Sequence, residues 1–403
     1  MKFNKVVWLC QFANEALDEY FGLHIDQCAY WITQFIQIME KSGLDIHIVG
    51  PNLYTNNDVD FKIKGINYHL YKYHSGIGGY RTATLEIALR KERNIRKKIV
   101  RIVDNIKPDI VHLFGAENIT YSGGAIPIMN RYPLLVTFQG YVQLTKERGN
   151  CLKTLTIRQR ERTEDTILSN ARYVTFEVTD RASRNYFINK YGNKKEMSIN
   201  FPLKKPGIDA SNVKKDYDVV YWGRVTKNKG VEDLIRAVSI LKNTGKDLRC
   251  LILGGGAGQY LQYLHSLVEK LSLSNNIVFG GFQRTDEELF SNASKAKVYV
   301  LPTYFDALPC SIRESMLMRL PVISYPVGDI TELNKNSECV VMAEYRNIED
   351  LAEKIKGILS DDAERKNIAD RAYNMINEMY DFQAIESQFM TCYDECLIEN
   401  KKG

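Results

Sequence analysis

Strand-length apolar segments alternate with helical segments twice along this chain of 403 residues, and the alternation restricts the folds open to it. The first series has strands at Val6–Cys10 and Asp45–Pro51 around a helix at 27–41. A helix at 82–106 and strands at 109–114, 134–138 and 173–178 follow. A strand, helix, strand unit implies a parallel sheet, because parallel strands need a long crossover connection. The first series therefore predicts a doubly wound α/β domain.

A polar, proline-containing stretch at 201–216 separates this series from a second one. The second series predicts strands at 218–223, 248–254 and 276–282, with helices at 231–242, 260–273 and 286–293, and an apolar run at 297–302 follows. The length also exceeds what one hydrophobic core usually organises. We predict an N-terminal Rossmann-like domain at 1–205, a C-terminal one at 206–375, and a helical segment at 376–403 that packs back on the first domain. Domains of this kind bind ligands at the carboxyl ends of their strands.

Composition indicates an ordinary globular protein, with 44% hydrophobic and 26% charged residues. No run approaches 18 apolar residues, and the first ten residues are too short and too polar for a signal peptide. The eight cysteines form no CxxC pair, which suits a reducing compartment and argues against structural zinc. We therefore expect a cytoplasmic protein.

Positive charge is concentrated in the first half of the chain. Residues 1–210 hold 30 Lys and Arg against 21 Asp and Glu, whereas the remainder holds 24 against 28. The excess centres on two basic runs, 90–101 and 146–162. Such runs bind nucleic acid, an anionic membrane surface or a phosphorylated acceptor, or simply form the solvated face of a helix. The helical spacing of Ile95, Ile99 and Ile102 supports the last interpretation for the first run.

Candidate binding residues are most concentrated between Tyr304 and Leu333. Asp306 follows an apolar run, and Ser311 and Glu314 have the spacing of a capping box at the start of a helix. Backbone N–H groups at a helix start bind phosphate, and carboxylates accept hydrogen bonds from sugar hydroxyls. The alternative is that Glu314 only caps its helix and Asp306 is a solvated loop residue.

A second candidate site is the segment WGRVTKNKG at 222–230. Arg224 and Lys229 flank a polar turn between a strand and a helix. Two cations beside a helix start can clamp a diphosphate, with Arg binding as a fork and Lys as a point charge. An ordinary basic turn is the alternative.

Three other patterns are weaker. The glycine-rich segment 251–259 has Gln259 at the third glycine position of a dinucleotide fingerprint, which argues against NAD. The pairs Asp58/Asp60 and Asp216/Asp218 resemble a metal-binding aspartate motif, but one falls in a polar loop and the other at the linker. Glycoside hydrolysis needs two carboxylates at a set distance, which the sequence leaves open.

Taken together and in order, GRVTKNKG, LILGGG, FGGF, DALPCSIRESM and LPVISYPVGDITEL resemble the family 4 glycosyltransferases, which are retaining enzymes. The resemblance covers almost the whole second domain. In the first domain it is looser and rests on PDIVHLFG and TFQGY. It implies the GT-B fold, in which two Rossmann-like domains face each other across a cleft.

The resemblance also implies roles for individual residues. Arg224 and Lys229 would hold the donor diphosphate, and Glu314 the ribose. Asp306, with the amides after it, would contact the donor sugar. The remaining residues would be donor-binding Ala307, Leu308, Gly254, Gly255 and Glu332, and Gln139 and His112 on the acceptor or sugar side. No metal or other cofactor is expected, because diphosphate oxygen is thought to help deprotonate the acceptor.

Departures from the family pattern affect the substrate more than the fold. Asp306 stands where the family usually has Glu, and Gln139 where many members have His. Arg319 replaces a helix-ending glycine, Asp329 the second glycine of a pair, and Ala29-Tyr30 another glycine pair.

The sequence therefore predicts a glycosyltransferase with a UDP- or GDP-type sugar donor. Its acceptor would be a glycan or a polyprenyl-phosphate-linked sugar of bacterial capsule, O-antigen or exopolysaccharide, reached by peripheral contact with the inner membrane face. Nucleic acid is not among the expected partners. The alternatives are a non-catalytic protein that binds sugar nucleotides or polysaccharide, and a phosphorylase, for which no lysine context suggests a pyridoxal site.

Overall fold

The computed structural model describes residues 4–23, 25, 30–73, 93–142, 151–177, 181–192, 195–203, 205–306 and 308–400. The chain divides into two compact units. Unit 1 comprises Met1–Val178, Ser183–Pro202 and Phe382–Gly403, and unit 2 comprises Thr179–Ala182 and Leu203–Asp381. Unit 1 is thus assembled from segments on both sides of unit 2 in the sequence.

Unit 1 is built on an eight-stranded sheet with the order β3-β4-β2-β1-β5-β6-β7-β8. Its strands are β1 (Lys5–Leu9), β2 (Asp45–Pro51), β3 (Val59–Ile63), β4 (Ile66–Tyr71), β5 (Ile110–Phe114), β6 (Leu134–Thr137), β7 (Tyr173–Phe176) and β8 (Lys195–Ser198). Neighbouring strands are parallel except β3 and β4. Strands β5, β6 and β7 are buried throughout, as expected for a parallel sheet covered on both faces.

The helices of the first part of the chain are α1 (Glu15–Phe21), α2 (Tyr30–Met39), α3 (Arg93–Ile106), α4 (Ile119–Ser122), α5 (Ala125–Ile128), α6 (Cys151–Asn170) and α7 (Arg181–Tyr191). Helix α3 buries Ile99, Val103 and Ile106, so the predicted apolar stripe faces the core. The parts of the predicted helices at 27–29 and 82–92 lie outside the described residues, as does Ala29.

The β3–β4 hairpin was not predicted from the sequence. Strand β3 alternates partly and fully exposed residues at the sheet edge, so it lacks the apolar run of the central strands. Asp60 therefore lies in a strand, not in the loop that we expected, and contacts the ring of His69 at 2.6 Å. Asp58 lies 2.5 Å from Lys98 and accepts the backbone N–H of Lys72.

Unit 2 is built on a six-stranded parallel sheet with the order β11-β10-β9-β12-β13-β14. Its strands are β9 (Tyr217–Trp222), β10 (Cys250–Leu253), β11 (Ile277–Gly281), β12 (Ala296–Leu301), β13 (Val322–Ser324) and β14 (Val341–Met342). Its helices are α8 (Val231–Asn243), α9 (Gly258–Lys270), α10 (Asp286–Ala293), α11 (Cys310–Leu317), α12 (Ile348–Ser360) and α13 (Asp362–Met379).

The last helix, α14 (Phe382–Asn400), belongs to unit 1. It buries Ile385, Phe389, Tyr393 and Cys396 in the same apolar cluster as Trp8. The indole N–H of Trp8 donates to the hydroxyl of Tyr393 at 2.9 Å. Within the described ranges, no helix is long and apolar enough to cross a membrane.

Candidate functional site

Three loops of unit 2 meet at the carboxyl edge of its sheet. They follow β9, β10 and β12, and these strands are direct neighbours in the sheet order. Because the strands are parallel, their carboxyl ends lie at one edge and the loops after them converge. The loops contain Gly223–Gly230, Gly254–Ala257 and Pro302–Pro309, so this edge collects most of the residues that the sequence singled out.

Backbone contacts hold the loops together. The N–H of Val225 donates to the carbonyl of Gly255 at 2.8 Å, and the N–H of Tyr304 donates to the carbonyl of Asn228 at 2.7 Å. A Cβ at Gly254 would lie 1.9 Å from the carbonyl oxygen of Gly223, and one at Gly230 would lie 1.8 Å from that of Pro302. Both glycines also have positive φ, at +135° and +69°. These glycines are therefore required by loop packing and backbone conformation.

Lys229, Asp306 and Arg224 are the charged groups at this edge that the sequence singled out. Lys229 and Asp306 form a direct ion pair between the β9 and β12 loops. The hydroxyl of Thr303 donates to the same carboxylate at 3.2 Å. Arg224 is exposed, while its carbonyl accepts the hydroxyl of Tyr221 at 2.8 Å. The structure thus brings Lys229 and Asp306 together and leaves Arg224 facing solvent beside them.

Helix α11 begins directly after Pro309, and the predicted capping box is wrong. Pro309 is the N-cap, with an extended backbone and no side-chain cap, so Ser311 is already the second helical residue. The hydroxyl of Ser311 instead pairs with that of Tyr299 at 2.7 Å. Glu314 lies in the fifth helical position. Burial raises the pKa of Tyr299, and the half-buried carboxylate of Glu314 and that of Asp306 add to the rise.

The indole of Trp222 adds an uncompensated donor at the end of β9. Its ring centroid lies 4.0 Å from that of Tyr299, and the residue is 3% exposed. Its Nε1 is buried without a hydrogen-bond partner. Buried N–H groups are normally paired, so this donor is an exception in the packing at the end of β9.

A tyrosine and aspartate network supports the β12 loop. Asp233 is 6% exposed and accepts hydrogen bonds from the hydroxyls of Tyr304 and Tyr325, at 2.7 and 2.8 Å. The guanidinium of Arg346 lies 4.3 Å from the centroid of the Tyr304 ring. This network was not predicted from the sequence, because its members are separated by up to 113 positions, from Asp233 to Arg346.

The other donor-side candidates are more dispersed. Leu308 is partly buried against the unit 2 core, and Ala307 lies outside the described residues. Gly255 has only ordinary contacts at its Cβ position, with Phe282 at 3.8 Å. Glu332 lies in a 3-10 segment after β13 and pairs at 2.8 Å with Arg181, which clusters with the same unit.

His112 is placed in the core of unit 1, which corrects the expectation that it contacts an acceptor. It is 0% exposed, and burial holds its pKa well below the usual range. The hydroxyl of Tyr393, which accepts from Trp8, lies 2.8 Å from its Nδ1, and its Nε2 lies 2.6 Å from the hydroxyl of Thr137. Both ring nitrogens are thus used in joining β5, β6 and α14.

Gln139 and two carboxyl groups lie near the carboxyl ends of β5 and β6. The Nε2 of half-buried Gln139 and the Oε2 of Glu117 are buried without hydrogen-bond partners. Both oxygens of Glu164 are close to the N–H of Val142, at 3.1 and 3.3 Å. Burial raises the pKa of Glu117 and of Glu164 to about 7, and the charge of Glu117 adds to the rise at Glu164.

The sequence reasoning missed Glu117 and Glu164. Of the two residues, only Glu117 lies close to a segment that the sequence had singled out, because it follows PDIVHLFG. Their burial depends on α6, from which Arg160 donates to the carbonyl of Glu117 at 3.0 Å. Carboxyl groups with such a pKa can exchange a proton near neutral pH, which suits hydroxyl-bearing ligands.

The basic runs are only partly available to a partner. Arg93, Lys97 and Arg101 on α3 are exposed. Arg96 is half buried, with Nη2 3.4 Å from the hydroxyl of Thr163, and Arg160 is engaged as described above. Residues 146–150 of the second run lie outside the described part of the chain.

Three aspartates of the two pairs, Asp58, Asp60 and Asp218, contact neighbouring groups. Asp218 lies in β9, accepts the N–H of Arg249 at 3.0 Å and pairs with Lys297 at 2.8 Å. Asp58 and Asp60 contact the neighbouring groups named above. Across the described residues, no group of three or more metal-ligating side chains was found.

Comparisons with known proteins follow the same division of the chain. Residues 207–375, which cover most of unit 2, match the family model described as glycosyl transferases group 1. Alpha-D-kanosaminyltransferase of Streptomyces kanamyceticus is 27% identical over 177 residues, 44% of this chain and 45% of that protein. The chain spans about half the length of the curated relatives it matches first.

Two further matches extend over most of the chain. The putative teichuronic acid biosynthesis glycosyltransferase TuaC of Bacillus subtilis is 21% identical over 389 residues, 88% of this chain and 92% of that protein. The structure of Anabaena HepE in complex with UDP superposes with a TM-score of 0.67 at 15% identity, over 98% of this chain and 100% of that one. This likeness shows the fold, which is GT-B.

Proposed function

We propose that this protein is a retaining glycosyltransferase, because residues 207–375 match the family model described as glycosyl transferases group 1. It transfers a sugar from a nucleotide-diphosphate sugar to a glycan or lipid-linked acceptor. The observation that carries the proposal is the meeting of the β9, β10 and β12 loops within this family segment, with Lys229 and Asp306 in direct contact.

The donor would bind at the carboxyl edge of the unit 2 sheet. Arg224 and Lys229 would bind the diphosphate, one as a fork and the other as a point charge. The start of α11, with Glu314 one turn in, offers backbone N–H groups for phosphate and a carboxylate for ribose hydroxyls. The UDP in the HepE complex supports a UDP-type donor.

The chemistry needs stabilisation of the leaving diphosphate. The acceptor hydroxyl oxygen bonds to the anomeric carbon on the face from which the diphosphate departs, and its proton passes to a diphosphate oxygen. Negative charge then grows on the diphosphate, where Arg224 and Lys229 stabilise it. Asp306 would accept hydrogen bonds from the donor sugar, and no metal ion is required by this scheme.

The acceptor belongs to cell-surface polysaccharide assembly in this proposal. Support comes from the name of TuaC and from the charge of residues 1–210, with 30 basic against 21 acidic side chains. The exposed Arg93, Lys97 and Arg101 on α3 would attract a phosphate-linked acceptor at the inner membrane face, each adding about 1 kcal/mol near an anionic surface. Glu117, Glu164 and Gln139 would line the acceptor side of unit 1.

The test is nucleotide release from a panel of UDP- and GDP-sugars with the full chain. Polyprenyl-phosphate-linked sugars in anionic vesicles form one acceptor arm, and soluble sugars form the other. Acceptor-dependent release with one donor supports the proposal, and release only in the vesicle arm supports the lipid-linked acceptor. Tight binding of a sugar nucleotide without turnover in either arm would instead identify a non-catalytic binding protein, a possibility favoured by the Lys229–Asp306 ion pair.

A further inference from the structure

A second cluster of basic side chains surrounds a pocket at the opposite edge of the unit 2 sheet. The pocket has a volume of about 240 Å³. Lys215 precedes β9, Lys297 is the second residue of β12, and Pro321 precedes β13, so the pocket lies at the amino ends of these strands. Helix α13 closes one side with its first three turns. A six-residue strand is about 20 Å long, so the pocket is well separated from the candidate donor site.

The lining is strongly positive although unit 2 is nearly neutral. Residues 203–381 hold 24 basic against 25 acidic side chains, a net charge of −1. Five cations line the pocket against two carboxylates, which gives +3. These charged residues are Lys215, Lys297, Arg319, Arg365, Lys366, Asp362 and Asp370. A local excess of this size needs an explanation other than the composition of the unit.

The acidic groups at the pocket are already used. Asp362 pairs with Arg365 at 2.7 Å, and Asp370 pairs with Arg319. Lys297 pairs with Asp218, which lies outside the pocket. Among the described residues, no ion pair with a carboxylate is found for Lys215 or Lys366. Lys215 has only the longer-range charge of Asp209, which also pairs with Arg319, so the positive charge of the pocket is incompletely balanced.

Two backbone carbonyls fix the position of the Lys215 ammonium group. Its ammonium donates to the carbonyls of Ala210 and Ser294, at 2.6 and 2.9 Å, which leaves one of its three N–H groups. Burial and the neighbouring Arg365 guanidinium lower the pKa of Lys215 to about 8. Two like charges are therefore fixed close together, and an anion between them would stabilise both.

We propose that this pocket binds a phosphate or diphosphate group, held by Lys215, Arg365 and Lys366. The volume suits a diphosphate or a sugar phosphate. A guanidinium and two ammonium groups are the side chains that commonly bind such oxygens. The site is independent of the proposed transferase activity, because none of its residues lies in the three loops at the carboxyl edge.

Isothermal titration calorimetry of the full chain with inorganic diphosphate, at constant ionic strength, tests the site. Lys366→Ala is the main variant, because this exposed side chain can be removed without disturbing the fold. Lys215→Met is the second variant. Lys270→Ala, an exposed lysine at the end of α9, is the matched control, and Lys229→Ala reports on the candidate donor site.

We expect Lys366→Ala and Lys215→Met each to weaken diphosphate binding at the pocket about tenfold or more, while Lys270→Ala leaves it unchanged. Lys229→Ala should affect only a separate binding event at the candidate donor site. Absence of binding to the unmodified chain, or equal loss in Lys270→Ala, would overturn the site. Loss in Lys229→Ala alone would also overturn it, by assigning the anion to the candidate donor site. A second titration with glucose 1-phosphate identifies the preferred ligand. Tighter binding of glucose 1-phosphate than of diphosphate indicates a phosphorylated sugar, and weaker binding indicates the free ion.

Discussion

At the residue scale, the contact between Lys229 and Asp306 means that each side chain already neutralises the other. A diphosphate that binds Lys229 has to compete with the Asp306 carboxylate, and a sugar that binds Asp306 has to displace the ammonium. The ion pair is therefore expected to set the balance between donor affinity and donor positioning.

This balance predicts opposite effects for two substitutions. Asp306→Asn should strengthen UDP binding several-fold, because it frees the charge of Lys229, and should slow sugar transfer. Lys229→Ala should weaken UDP binding by about 1.5–3 kcal/mol, with a smaller effect on uridine. Titration calorimetry with UDP and uridine measures both, and Lys227→Ala, an exposed lysine of the same turn, is the control. Weaker UDP binding in Asp306→Asn would contradict the competition.

The two carboxyl groups of unit 1 predict a pH-dependent stability. Burial raises the pKa of both Glu117 and Glu164 from 4.5 to about 7. Between these values the folded state keeps protons that the unfolded state has released, so stability falls as pH rises from 4.5 through 7. Glu117→Gln and Glu164→Gln should each reduce the loss of Tm between pH 5 and pH 8 by a few degrees.

Thermal unfolding at a series of pH values measures this slope. Glu161→Gln, on the same helix as Glu164, is the matched control and should retain the full pH dependence. If Glu117→Gln and Glu164→Gln also retained the full pH dependence, the raised pKa values would be contradicted. The two carboxyl groups would then be ionised in the folded protein at neutral pH.

Local sequence predicted the position of the candidate residues that follow strands directly. Arg224, Lys229 and Asp306 could be placed because parallel strands put their loops at one edge. His112 was misplaced because whether a strand residue points to a core or to a ligand depends on what packs over it, here α14. Asp233 gave no signal for the same reason, since its partners Tyr304 and Tyr325 come from distant segments.

At the scale of elements, periodicity predicted helices better than it predicted their ends. Helix α10 has the predicted bounds, and α8 extends one residue further than predicted. Helix α11 begins at Cys310, but its N-cap is Pro309 and not the predicted Ser311, because the extended backbone ends two residues earlier than a cap at Ser311 would require. The edge strand β3 was missed because its pairing with β4, not its composition, makes it a strand.

The end of α11 is stabilised in an unusual way. Arg319, at the position where the family usually has glycine, has a φ of +54°, which L-residues adopt at a cost of about 1–2 kcal/mol. Its guanidinium lies 3.8 Å from the Tyr373 ring centroid and pairs with Asp370 and Asp209. These contacts offset the backbone strain and attach the loop to α13.

Arg319→Ala should therefore destabilise unit 2 more than Arg319→Gly, because alanine loses the contacts and keeps the strain. We expect a difference of about 1 kcal/mol in the free energy of unfolding. Urea unfolding of both variants, followed by circular dichroism, measures it. Equal stability of the two variants would mean that the backbone relaxes once the guanidinium is removed.

At the scale of the whole molecule, unit 2 is continuous apart from 179–182, whereas unit 1 depends on α14 from the far end of the chain. Five side chains of α14 that are buried in unit 1 join the cluster of Trp8 and Phe35, namely Ile385, Phe389, Cys392, Tyr393 and Cys396. Each large apolar side chain contributes about 1.5–3 kcal/mol on burial, so the helix accounts for much of a typical domain stability.

Fragments of the chain should show this dependence. A fragment of residues 203–381 is expected to unfold cooperatively on its own. A fragment of residues 1–202 should bind a hydrophobic dye and melt without a sharp transition. Adding a peptide of residues 382–400 should restore a cooperative transition, and a peptide with Phe389→Ala and Tyr393→Ala should not. A sharp transition in residues 1–202 alone would show that α14 is dispensable.

The position of α14 also has a consequence in time. During synthesis, the strands of unit 1 leave the ribosome about 180 residues before the helix that covers Trp8, Phe35 and Phe114. At a rate of about 5–20 residues per second, this interval is about 10–40 s. For that period, an apolar surface of the nascent chain is exposed to solvent while unit 2 is synthesised and folds. Chaperones that hold exposed apolar segments would have their binding site there, and a slowly translated message would lengthen the exposure.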